Sequence, residues 1–192
     1  MPVKEYHRIR RLREGLAKAK VTPELLATIM EGGDAVRDDS SPGVKSRWMA
    51  DAMERMDALL DYDTRRRVRE SCSCCLGGKR REAMLAVARA GGSTEERLAG
   101  VERAGIVVPV ARLEDDGRIL VRYGPEGPAS FDCPCLRESE VRLSLTYCQC
   151  CGGHVRRHLE TALERKLSCE VVASILNSGG QEMCTFRLTL VV

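Results

Sequence analysis

Along the first hundred residues the apolar positions recur every three or four, the interval that lines up one face of a helix. In VKEYHRIRRLREGLAKAK the stripe is Tyr6, Ile9, Leu12 and Leu16. Thr22 followed by Pro23 opens a second helix, which Gly32 and Gly33 end. SSPGVKSRWMADAMERMDALLD is the clearest case, with Trp48, Met49, Ala52, Met53, Met56, Leu59 and Leu60 on one apolar stripe. A methionine-rich stripe of this kind is core packing rather than a cofactor box. TRRRVRES makes a shorter helix, REAMLAVARA stops at Gly91 and Gly92, and Ser93 with Glu96 forms a capping box for TEERLAGVERA.

From Gly105 the interval shortens to two. Residues 106–112 and 118–123 read as strands joined at Asp115, Asp116 and Gly117, with Pro109 confining the first to a sheet edge. VRLSLTY alternates as a third strand, apolar at Val141, Leu143, Leu145 and Tyr147. Val155, Leu159 and Ala162 then mark a helix beginning at the thiol cluster TYCQCCGGH. CEVVASIL, a turn at Ser178-Gly179-Gly180 and MCTFRLTLVV close the chain as a hairpin, with Cys184, Phe186, Leu188, Leu190 and Val192 on one face. The expected fold class is therefore α+β: N-terminal helices over 1–104 packed on a C-terminal antiparallel sheet over 105–192, interrupted by one long helix, as one integrated domain. No strand, glycine loop and helix follow one another as a dinucleotide site requires, and CCLGGKRRE lacks the first glycine of a P-loop.

Composition narrows the function classes. The 192 residues are 43% apolar, enough for a real core, with a net charge of only +3 and 4% aromatics. That charge and so few stacking rings argue against a nucleic-acid partner. No apolar run approaches the roughly 18 residues that span a bilayer. The start MPVKEYHRIRRLREG lacks a signal peptide's hydrophobic segment, so a cytoplasmic location is expected.

In a reducing compartment ten cysteines do not form a disulfide framework, and their crowding points to metal or redox work. Cys72, Cys74 and Cys75 form one cluster, Cys133 and Cys135 a second, and Cys148, Cys150 and Cys151 a third. Zinc wants four soft or borderline ligands in a tetrahedron, and two local thiol pairs lower the cost of assembling them. Cys133-Pro134-Cys135 and Cys148-Gln149-Cys150 are such pairs if the backbone is extended, because residues two apart then project to one side. The candidate metal ligands are Cys133, Cys135, Cys148 and Cys150, with Cys72, Cys74 and Cys75 to complete the site or hold a second ion. His154 replaces one thiolate if the helix already includes Cys150. An iron-sulfur cluster would use the same thiolates, although ferredoxin spacings are absent.

The rival reading is a reactive thiol. Cys148, Cys150 or Cys151 near a helix N-terminus would be stabilised as thiolate, with His154 or His158 as base. Arginines and lysines flanking Cys72, Cys74 and Cys75 would lower those thiols' pKa values too, unless they form an ordinary solvated basic face. Gly152 and Gly153 allow close backbone approach, and Cys169 and Cys184, on strands, read as buried thiols.

SSPGVKSRWMADAMERMDALLD, ESCSC, DCPC, TYCQC and MCTF, spread from about residue 40 to the end, follow an order similar to that of an uncharacterised group of cysteine-rich prokaryotic proteins. The terminal block from TYCQCCGGH to TFRLTLVV resembles the end of the 4-vinyl-reductase type ligand-binding domain, related to NO-signalling and Golgi-transport domains. The resemblance implies that fold, with members that bind hydrophobic molecules, haem or acyl groups or regulate protein partners, and some relatives that hydrolyse small sulfur heterocycles. Here Cys75, Cys151 and Gly152-Gly153-His154 depart from the family pattern. The combined expectation is a zinc-binding sensor module with a small apolar ligand or a regulatory protein partner. The alternatives are a cysteine-dependent hydrolase of a small sulfur heterocycle or amide, and an iron-sulfur or thiol redox protein.

Overall fold

Helix α1 (His7–Lys18) buries Ile9, Leu12 and Leu16 completely, the stripe its spacing predicts. The computed structural model describes residues 4–73, 76–107, 110–123 and 133–191. α2 (Pro23–Ile29) and α3 (Pro42–Leu59) each start with proline behind a hydroxyl cap, Thr22 accepting from the Leu25 N–H and Ser41 from that of Val44. α3 turns Trp48, Met49, Ala52, Met53 and Met56 into the core, whereas Leu59 at its end is exposed. The Trp48 indole donates to the Glu31 carbonyl at 2.9 Å, so even its polar edge is satisfied. α4 (Tyr62–Ser71) is capped by Asp61, whose carboxylate accepts from the Thr64 N–H at 2.9 Å. α5 (Gly78–Ala90) and α6 (Thr94–Ala104) follow, α6 with the capping box of Ser93 and Glu96.

Two short strands, β1 (Val110–Leu113) and β2 (Ile119–Arg122), come next. Ile106 and Val107 lie outside β1, and Pro109 lies outside the described residues. The long helix α7 (Leu145–Leu163) precedes β3 (Leu167–Ala173), the single turn α8 (Ile175–Ser178) and β4 (Thr185–Leu190). The sheet is antiparallel throughout in the order β1-β2-β4-β3, leaving β1 at an edge. Val121, Phe186 and Val171 align across three strands, as do Ile119, Leu188 and Cys169, forming a buried apolar face. The chain is thus an α+β protein in which one buried cluster spans helices and sheet. Among the described residues no helix is long and apolar enough to cross a membrane.

Two elements differ from their sequence reading. Ile175 and Leu176, read as strand in CEVVASIL, form α8, because β3 ends at Ala173 and the Ser174 hydroxyl caps the turn by accepting from the Asn177 N–H. VRLSLTY is not a strand: α7 already starts at Leu145, behind Ser144, whose hydroxyl accepts from the Thr146 N–H at 3.2 Å. The cap prevails over the short alternation, because a segment this short is also consistent with the first turn of a helix buried on several sides. α7 packs against α4 and α5 and against β3. Its glycines make both approaches possible. A Cβ on Gly152 would stand 3.3 Å from the Cys169 sulfur, and one on Gly153 would stand 3.0 Å from Glu70 Cα and 2.6 Å from Ser73 Oγ. These glycines sit in the helix interior rather than at its start, and they set how closely the helix lies between sheet and α4.

Candidate thiol site

Helix geometry decides which cysteines meet. Residues two apart on α7 are separated by roughly 200° around the axis, so Cys148 and Cys150 cannot face one ion as they would on a strand. Cys150, Cys151 and His154 turn instead to a cavity of about 170 Å³ shared with Cys133, Cys135 and Cys184. Ile106, Val107 and the Tyr123 ring supply apolar wall, and Arg80 joins the lining. Leu136 N–H donates to the Cys133 carbonyl at 3.1 Å, closing a turn that presents Cys135 to the helix. The Tyr147 hydroxyl donates to the Cys135 carbonyl at 3.1 Å and pins that turn. Sequence reasoning passed over Tyr147 as one more apolar position of a strand.

Within the cavity wall, the Cys150 sulfur accepts hydrogen bonds from the Cys135 and Cys151 thiols. Those bonds, ahead of the attraction of the Arg69 and Arg8 guanidiniums, hold Cys150 well below the usual thiol pKa although burial opposes it. Cys151 is raised instead, by hydrogen bonds with Cys135 first and Cys150 next, ahead of burial. Arg69 is 3% exposed and its Nη2 donates to the Tyr147 carbonyl at 2.8 Å, while its guanidinium carbon sits 4.8 Å from the centre of the Tyr147 ring. Its Nε has no hydrogen-bond partner, and among the described residues no carboxylate pairs with it. Burial works against its charge, but the surrounding thiols, Cys150 first, keep it protonated. A buried cation without a counter-charge costs several kcal/mol, and the Cys150 sulfur, whose pKa is lowered, is the group placed to offset it. Arg8 approaches from α1, acted on by Tyr147, Cys135, Tyr6 and Cys150. The legible signal for Arg69 was its helical phase beside buried Val68, three residues before Cys72.

The remaining cysteines divide. Cys148 points away from the cavity to the Ser174 hydroxyl, and burial raises its pKa. Cys72, 6% exposed, donates its S–H to the Val68 carbonyl at 3.3 Å and lies near Cys150 without lining the cavity. Basic neighbours would lower its pKa unless they form a solvated face; burial raises it, outweighing Arg69, because the thiol faces the interior. Cys74 and Cys75 lie outside the described residues. Cys169 and Cys184 are buried thiols on and beside strands as read from the sequence, and Cys184 also reaches the cavity. His154 lines the cavity and stacks edge-on to buried His158 at 4.6 Å. Of the expected ligands, then, Cys133, Cys135 and Cys150 come together while Cys148 and Cys72 do not join them. Among the described residues no group of three or more His, Cys, Asp or Glu is arranged to hold a metal ion.

A larger groove of about 770 Å³ runs along the other side of α7, past Gln149, Thr146 and the start of α4. Its arginines Arg65, Arg66, Arg118 and Arg187 are already paired with Asp57, Asp63, Asp116 and Glu114. The unusual chemistry is on the thiol side.

No curated protein and no solved structure matches the chain. The matching family model is not that of the 4-vinyl-reductase type domain. It covers residues 9–192 and is described as a family of unknown function, DUF6144, and the chain, sharing all but the first eight residues with that model, belongs to this family.

Proposed function

We propose that the protein is a dithiol redox module, with Cys150 as the attacking sulfur and Cys135 as the resolving one. The observation that carries this reading is the contact of the Cys150 sulfur with a second thiol from a distant turn, beside a buried guanidinium that has no carboxylate. Cys151 is the poorer partner. Neighbouring residues on a helix cannot reach disulfide geometry without distorting the peptide between them.

With a hydroperoxide as oxidant, the Cys150 thiolate attacks the distal oxygen and the O–O bond breaks. The leaving oxygen takes a proton from water and departs as the alcohol, and Cys150 becomes a sulfenic acid. The Cys135 sulfur then attacks that of Cys150. The S–O bond breaks, the hydroxide takes the Cys135 proton and leaves as water, and a disulfide remains. Two thiol sulfurs have lost two electrons and the peroxide has gained them. Treating reduced protein with hydrogen peroxide and mapping the disulfide by mass spectrometry tests this. A Cys135–Cys150 bond supports it, with a sulfenic acid trapped at Cys150 in Cys135→Ser. Peroxide consumption without either product, or no reaction at Cys150, refutes it.

A second reading keeps the zinc module. It is supported by the donors Cys133, Cys184 and His154 around the same cavity, and by charge: a zinc ion with four thiolates is doubly negative, which Arg8 and Arg69 would balance. Side-chain rotations would be needed to gather the ligands. Metal analysis of protein purified without chelator separates the readings, since about one zinc per chain favours this one. The hydrolase reading has Cys150 and His154 on one cavity wall but no further support.

A further inference from the structure

The cavity has features that a dithiol pair alone does not need. It is a largely apolar cavity of about 170 Å³ that opens to solvent, slightly larger in volume than the roughly 150 Å³ engineered cavity that accepts benzene. Arg80, exposed in the first turn of α5, contributes to its lining. The Nε of Arg80 donates to the Ile106 carbonyl at 3.1 Å, which fixes the guanidinium beside another wall residue. Among the described residues no carboxylate pairs with Arg80, in contrast to the arginines of the large groove. An arginine held by its Nε keeps both terminal nitrogens for a planar anion, the fork that carboxylates fit. Apolar wall, benzene-sized space and a fixed cation at one side describe a single kind of guest.

We infer that the cavity binds a small carboxylic acid with an apolar body of about six to eight heavy atoms, its carboxylate on Arg80 and its body among Ile106, Val107, Tyr123 and the thiols. This names the ligand class of the site proposed above and rests on that reading only for what the thiols do to the guest. The binding itself stands on shape and charge. A guest so placed lies against Cys135, Cys150 and Cys151, so a thiol-reactive group on its apolar end would meet the nucleophilic sulfur first.

Benzoate is the probe. Calorimetric titration of the reduced full chain should show saturable binding, weakened about fivefold in Arg80→Gln as for a partly exposed ion pair, with benzamide binding the wild type no better than benzoate binds that variant. Ile106→Trp, at an exposed wall position, should remove binding by filling the entrance while circular dichroism shows the fold intact. Absence of saturable benzoate binding, or affinity indifferent to both substitutions, overturns the inference. Failure of the dithiol reading is read separately, in the peroxide experiment, and leaves the benzoate result unaffected.

Discussion

Arg69 holds Tyr147 twice, by a 2.8 Å hydrogen bond from Nη2 to its carbonyl and by a cation placed 4.8 Å from the centre of its ring. Tyr147 in turn reaches the carbonyl of Cys135 with its hydroxyl. One arginine from α4 is therefore fixed beside Cys150, and one tyrosine of α7 fixes the thiol that Cys150 meets. Arg69→Met should take the cation away while keeping most of the volume, and slow alkylation of Cys150 about tenfold on the acid limb of its pH profile, the effect of one pKa unit. Arg69→Lys should restore part of the rate. A rate unchanged in Arg69→Met would show that Cys150 is not paired with this cation.

Tyr147→Phe removes only the hydroxyl that pins the Cys133–Leu136 turn. The expected loss of stability is about 1 kcal/mol, since the part-buried Cys135 carbonyl loses its donor. Peroxide-driven disulfide formation should slow while iodoacetamide still alkylates Cys150 at the wild-type rate. Equal slowing of both would mean that Tyr147 acts on Cys150 itself rather than by positioning Cys135.

The pH dependence follows from opposite shifts. Cys150 is held below the ordinary thiol value of 9.0, so its thiolate stabilises the fold in full above that value, and the contribution is lost as pH falls through the folded pKa. Its alkylation rate should accordingly hold level from alkaline solution through pH 9 and fall only as pH drops through the folded pKa. Cys169 behaves inversely: burial first, then Glu70, push it up to about 12. Its neutral thiol stabilises the fold below pH 9 and that contribution disappears as pH rises toward 12. Denaturant titrations at increasing pH should show declining stability across that window, and Cys169→Ala should flatten the decline.

Gly153→Ala should destabilise the protein by about 1–3 kcal/mol, the range for overpacking. Its Cβ would stand 3.0 Å from Glu70 Cα, which is backbone and cannot turn aside. Gly152→Ala meets the Cys169 sulfur at 3.3 Å, a side chain that can shift by a few tenths of an ångström, and should cost less. Urea midpoints for the two variants check the order.

Glu70 ties α4 to α7 through Arg156 at 2.7 Å and meets Arg66 at 3.5 Å, with both partners more exposed than itself. Glu70→Ala should cost about 1 kcal/mol, because Arg156 loses its closest carboxylate but, partly exposed, keeps Glu160 at 3.0 Å. Thermal unfolding of Glu70→Ala beside Arg156→Met shows whether the cost is that of a stranded charge, since the second variant leaves no cation behind.

The sequence by itself determined the elements whose periodicity is long. The stripes of α1 and α3, the capping box of α6 and the closing hairpin with Phe186 and Leu188 inward are local: each follows from side chains a few residues apart. Thiol crowding was equally legible, including the possibility that Cys150 and His154 share a helix face. Tertiary structure decided the rest. Whether VRLSLTY is strand or helix depends on the surfaces that α4, α5 and β3 present around it, and that choice rotates Cys148 away from Cys150. Which arginine among many is buried without a carboxylate, and which distant turn delivers the second thiol, depend on the packing of α1, α4 and α7 and on Tyr147 reaching the Cys135 turn. Burial is a property of the assembled molecule, and it is burial that sets a guanidinium without a carboxylate beside Cys150, whose side chain lines an apolar cavity.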